Sequence, residues 1–130
     1  MPIACSTILY RVILRKSWFD PDDGSIQPDA FFRRPSDEDG LSVFIADLIT
    51  EDGCMALFNS HSGLVSLHAG RLMDIGLTVI PDPTNPIKAL IPNAPLESSG
   101  RAEDERLAGE IAKASRVINR KTKKLKPASS

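Results

Sequence analysis

Cysteine, histidine and aromatic side chains are scarce in this 130-residue sequence, which has two Cys, two His, five Phe, one Tyr and one Trp. Two cysteines, Cys5 and Cys54, can close at most one bridge, which excludes a disulfide-stapled scaffold and makes reduced thiols in a cytoplasmic setting the expectation. The opening Met1-Pro2-Ile3-Ala4-Cys5 has neither the basic and apolar segments nor the cleavage site of a secretory signal. No window approaches the roughly 18 to 20 apolar residues of a membrane-spanning helix, so no membrane partner is expected. There is no P-loop, no GxGxxG, no GxSxG elbow and no HExxH, which removes motif support from most familiar catalytic classes. What remains is 42% hydrophobic and 25% charged residues, the profile of one domain with its own core.

Metal and cofactor chemistry finds little footing. His61 and His68 with Cys54 can be drawn as a Cys/His set, but no CxxC or HxxxH spacing is present and four ligands do not assemble locally. Histidines satisfied in the fold or at the surface are the plainer reading, and neither a metal nor a cofactor is expected. The acidic stretch from Asp20 fails as a helix-loop-helix calcium site, because Gly24 falls at position five, Ser25 at six and Phe31 at twelve. Solvated turns account for these residues, since Asp caps local amides and Gly accepts positive φ.

The net charge of -1 conceals a segregation. From Arg116 onward the chain carries Arg116, Arg120, Lys121, Lys123, Lys124 and Lys126 and no acid. Residues 17 to 52 hold ten acids, among them Asp37, Glu38 and Asp39, against Arg33 and Arg34. An acidic lobe and a basic tail can attract each other or separate partners.

The apolar run Ile8 to Leu14 predicts a strand, placed centrally, and Leu41 to Leu48 a second strand with apolar residues on both faces. Thr50 suits the N-cap of a short helix. Leu64 to His68 predicts a strand followed by a helix from Ala69, with Gly76 as its C-terminal cap; a single helix across this stretch is the alternative. Leu77 to Ile80 and Ile87 to Ile91 read as strands separated by a proline-rich connection. Ser99 or Gly100 is expected to cap the longest helix, in which Leu107, Ile111, Ala114 and Ile118 recur at helical spacing. The expected architecture is α+β, a single small domain over residues 1–118 with a mixed β-sheet, short helices and one longer C-terminal helix. Residues 119–130 form a basic tail expected to be disordered.

The ordered pattern Tyr10-Arg11-Val12, Trp18, Phe31-Phe32-Arg33-Arg34-Pro35, Asp39-Gly40-Leu41-Ser42-Val43, Gly76-Leu77, Asp82-Pro83 and Glu105-Arg106-Leu107-Ala108 resembles a family of small, uncharacterised bacterial proteins over roughly residues 8 to 118. That resemblance implies a bacterial setting and no mechanism. The strand opening Leu9-Tyr10-Arg11 also resembles the start of NAD-consuming ADP-ribosyltransferase-type domains, but no catalytic Glu is placed to complete such a site.

Three functional readings follow. In the first, the chain is a non-enzymatic protein-interaction or regulatory module, with Asp37, Glu38, Asp39, Arg120, Lys121, Lys123 and Lys124 meeting a protein partner. In the second, the chain is a small enzyme or ligand-binding domain in which Arg11, Trp18, Arg33, Arg34 and His68 converge on a nucleotide-like or phosphorylated molecule, because guanidinium presents paired donors to phosphate or carboxylate. The competing account of Arg11 is that it snorkels to solvent or pairs with an acid of the Asp-rich lobe. In the third, the tail holds nucleic acid by charge alone, without aromatic residues for base stacking.

Overall fold

The computed structural model describes residues 3–34, 39–97 and 99–120. Six strands form one sheet: β1 Ile8–Ile13, β2 Leu41–Ile45, β3 Gly63–His68, β4 Ile80–Pro81, β5 Lys88–Ile91 and β6 Arg116–Arg120, in the order β4-β5-β2-β1-β3-β6. Three helices accompany it: α1 Glu51–Ala56, α2 Ala69–Ile75 and α3 Ala102–Ala114. Short 3₁₀ turns lie at Lys16–Trp18, Pro28–Phe31 and Ala46–Leu48. The α+β class is as expected, and β1 is central. All five strand pairs are antiparallel, and the parallel contribution is the isolated Arg33–Leu96 bridge.

Strand alternation divides the apolar side chains between two cores. Leu9 and Ile13 of β1, Leu41 and Val43 of β2, and Val65 and Leu67 of β3 face one side. There they meet Leu72 of α2, Ile111 of α3 and Phe31 of the Pro28–Phe31 turn, all fully buried. On the other side Val12, Phe44 and Leu64 pack beneath Cys54 and Met55 of α1. The larger core thus has two helices over it, and the smaller core one helix of six residues.

Local chemistry explains most boundaries. The Thr50 hydroxyl accepts from the Gly53 amide at 3.0 Å, with Glu51 and Asp52 in the first turn of α1. Strand β3 passes into α2 at His68, as the sequence predicts. Gly76 ends α2 at φ 105°, and the Leu77 amide donates back to the Leu72 carbonyl, burying Leu77 in the core. In the acidic turn, Asp20 Oδ1 accepts from the amides of Asp22 and Asp23, and Gly24 takes φ 76°. Solvated turn geometry is therefore what these carboxylates serve, and among the described residues no metal-binding cluster is present.

Three expectations are corrected. Helix α3 does not run to Ile118 but stops at Ala114, where Ser115 turns extended and its hydroxyl donates to the Ala112 carbonyl. The β-branched Val117 then pairs with Val65 of β3 and Asn119 with Leu64, leaving Ile118 between them as the extra residue of a bulge. Strand pairing at β4 covers only Ile80 and Pro81, because the Thr78 amide is taken by Asn93 Oδ1 and not by a neighbouring strand. The N-cap of α3 is Arg101, not Ser99 or Gly100. Ser99 acts through Asp104, donating its hydroxyl to Oδ2 at 2.6 Å.

Cys5 is exposed, Cys54 is buried, and both are free thiols. Among the described residues no helix is long and apolar enough to cross a membrane.

Candidate functional site

The sheet opens between its two central strands. Strands β1 and β2 pair only at Leu9–Ile45 and Tyr10–Phe44, whereas β1 pairs with β3 at six positions and β2 with β5 at four. Beyond Tyr10 the two strands each follow their outer neighbour, and a wedge forms between them. Arg11 spans it. Its Nε donates to the Ala30 carbonyl at 2.7 Å and its Nη1 to the Ser42 carbonyl at 3.0 Å, tying the Pro28–Phe31 turn to β2. A guanidinium suits this place because its donors lie in a fixed fork and can meet two carbonyls of different elements.

A cleft of about 1030 Å³ lies at this opening. Its walls include Arg11, Val12 and Leu14 from β1 and just beyond, and Leu41, Ser42 and Phe44 from β2. Trp18, Phe32 and Arg34 line it from the following turns, with Phe58 and Lys88 contributed by more distant parts of the chain. Four cations, Arg11, Arg15, Arg34 and Lys88, share these walls with the acids Asp29, Glu97 and Glu105. Arg15 Cζ lies 5.9 Å from the centre of the Trp18 ring, and Lys88 Nζ lies 5.7 Å from that of Phe44. Phe44 in turn meets Phe58 edge to face, with centroids 6.1 Å apart. The cleft can therefore offer positive charge and aromatic surface together, the combination that holds a planar or apolar molecule bearing an anion.

Of the ligand-binding set read from the sequence, the structure brings together Arg11, Trp18 and Arg34. Arg33 lies elsewhere. Its Nε donates to the Ala94 carbonyl at 3.0 Å, and its main chain exchanges hydrogen bonds with Pro95 and Glu97, so it fastens two loops. His68 is exposed at the end of β3, opposite Ile8, and does not line the cleft. Tyr10 packs toward the smaller core, where burial first, then Glu51, Cys54 and Asp47, raises its phenol above the ordinary value. Arg15, Phe44, Phe58 and Lys88 escaped the sequence reading. Their meeting depends on strand register across β1, β2 and β5, which no local pattern encodes.

Of the partner-binding set, Asp39 is exposed and Arg120 ends β6. Asp37, Glu38, Lys121, Lys123 and Lys124 lie outside the described residues. A second hollow of about 540 Å³ between α2 and α3 alternates Arg71, Arg106 and Lys113 with Asp74 and Glu110. Arg106 there is already held by Glu103 at 2.7 Å, so this seam has mixed charge and no aromatic surface.

The chain matches no family model, no curated protein and no solved structure. The resemblance to small bacterial proteins therefore rests on the residue pattern alone.

Proposed function

We propose that this protein is a ligand-binding domain that takes a nucleotide-like or phosphorylated molecule in the cleft between β1 and β2. One observation carries this reading: Arg11, Trp18 and Arg34, three of the five residues read from the sequence as one ligand-binding set, line one concavity that also holds Arg15 and Lys88. Two free thiols are in keeping with a cytoplasmic setting. Trp18, the one tryptophan, reports on the cleft directly. Titration with adenosine 5′-monophosphate, ribose 5-phosphate and adenosine should change its emission for the phosphorylated probes, and Arg34→Ala should weaken them. Unchanged emission and an unchanged melting temperature across all three would end this reading.

A second reading, a protein-interaction module, draws on the charge segregation and on the exposure of Asp22, Asp23 and Asp39. Leu48 and Leu57, each 55% exposed, flank α1 and add exposed apolar surface there. Deleting residues 121–130, or neutralising Asp37, Glu38 and Asp39, should release a captured partner; retention by both variants removes the electrostatic argument.

A further inference from the structure

We propose that the cleft's ligand is elongated and carries two anionic groups, one bound at Arg15 and the other at Lys88. This inference rests on the cleft-binding reading and extends it to the shape and charge of the ligand.

The four cations of the cleft are not equivalent. Arg11 directs two of its donors to main-chain carbonyls and serves the fold. Arg15 and Lys88 rest against aromatic rings, and these are the two cation–π contacts found among the described residues. Neither makes an ion pair among those residues. A ring holds a cation weakly and neutralises no charge, so both cations keep donors for an incoming anion. A carboxylate in the same place would have cancelled them. Asp82 makes no ion pair with Lys88 and is occupied by Thr84, whose amide and hydroxyl both donate to Oδ1 at 2.8 Å.

Register sets the two stations apart. Lys88 stands opposite Phe44 on β2, and Phe44 stands opposite Tyr10 on β1. Arg15 follows Tyr10 by five residues, about 16 Å along an extended chain, and Lys88 lies two strand spacings of about 4.8 Å across the sheet from Tyr10. Between the stations the cleft is lined by Leu14 and by the edges of the buried Val12 and Leu41, with the Phe58 ring beside Phe44 at the Lys88 end. Asp29, Glu97 and Glu105 on the same walls repel a uniformly negative ligand such as a polyphosphate or a nucleic-acid strand. The occupant that fits has an apolar or planar middle and an anion at each end.

Decanediyl bisphosphate, propanediyl bisphosphate and decyl monophosphate test this by calorimetry on the full chain near physiological salt. The long bisphosphate should bind about tenfold or more tightly than the other two, since it alone reaches both stations. Arg15→Gln and Lys88→Met should each reduce it to the affinity of the monophosphate. Lys113→Gln, in the seam between α2 and α3, should leave it unchanged and so exclude general attraction to positive charge. Equal affinities for the three probes, or indifference to either substitution, would overturn the two-station ligand while leaving a single-anion cleft in place. Absence of binding by every probe, with Trp18 emission unmoved, would overturn the two-station ligand and the cleft reading together.

Discussion

Replacing Arg11 by methionine tests whether the opening between β1 and β2 is braced by that one side chain. Methionine retains an unbranched apolar stem and removes only the donors, so the loss measured belongs to the hydrogen bonds. Two charge-assisted bonds are broken, to the Ala30 and Ser42 carbonyls. Each such bond contributes about 1.5–3 kcal/mol, and a half-buried site takes the lower end, giving a total near 3 kcal/mol. With a urea dependence of about 2 kcal/mol/M for a chain of this size, the unfolding midpoint should fall by about 1.5 M. Arg33→Met is the internal comparison. That guanidinium makes one such bond, to the Ala94 carbonyl, and its removal should cost about 1.5 kcal/mol. Equilibrium urea unfolding followed by far-ultraviolet circular dichroism, with Trp18 emission as a second probe, gives both values. A midpoint for Arg11→Met within about 0.3 M of the parent, or a smaller loss than for Arg33→Met, would refute the brace.

Three further outcomes are expected. Burial pushes the Cys54 thiol up to about 11, so an aromatic disulfide reagent at pH 8 should label Cys5 rapidly and Cys54 only after unfolding; two fast thiols would contradict the packing beneath α1. The Ser99 hydroxyl and the Arg101 guanidinium hold the Asp104 carboxyl below its ordinary range, so its contribution to stability is complete above about pH 3.9 and fades as pH falls through its lower folded value. The stability gap between the parent and Asp104→Asn should accordingly be constant from pH 7 to 5 and close in strong acid, and a gap that widens below pH 4 would reverse the assignment. Gly40 sits at φ 123°, and a Cβ there would lie 2.7 Å from the Ile91 carbonyl group, so Gly40→Ala should destabilise by about 2 kcal/mol or more in urea unfolding, and a neutral result would contradict the approach of this turn to β5.

How legible each feature was in the sequence follows from the distance over which its cause acts. The Thr50 cap, the passage from β3 to α2 and the Gly76 stop are set by residues within one or two turns of each other, and their patterns read directly. The end of α3 did not. Ala114 and Ile118 continue a helical repeat as well as Val117 and Ile118 suit a strand, and the choice was settled by the unpaired edge of β3, far away in sequence. The cleft lies further still from local chemistry. Arg11 was legible as an unusual cation in an apolar run, but its role depends on the carbonyls of Ala30 and Ser42, both distant in the chain. Lys88 read as an ordinary strand residue until register set it across from Phe44. Arg33, adjacent to Arg34 and alike in composition, serves loop closure because the parallel bridge to Leu96 turns it toward Ala94.

The most direct test of the central claim is a two-dimensional amide and indole NMR titration of the full chain with adenosine 5′-monophosphate. Binding in the cleft should move the Trp18 indole signal and the amides of Arg11, Arg15, Ser42 and Lys88 along one saturating curve. Shifts confined to His68, or to Arg71 and Lys113 between α2 and α3, would place the anion elsewhere and contradict the account.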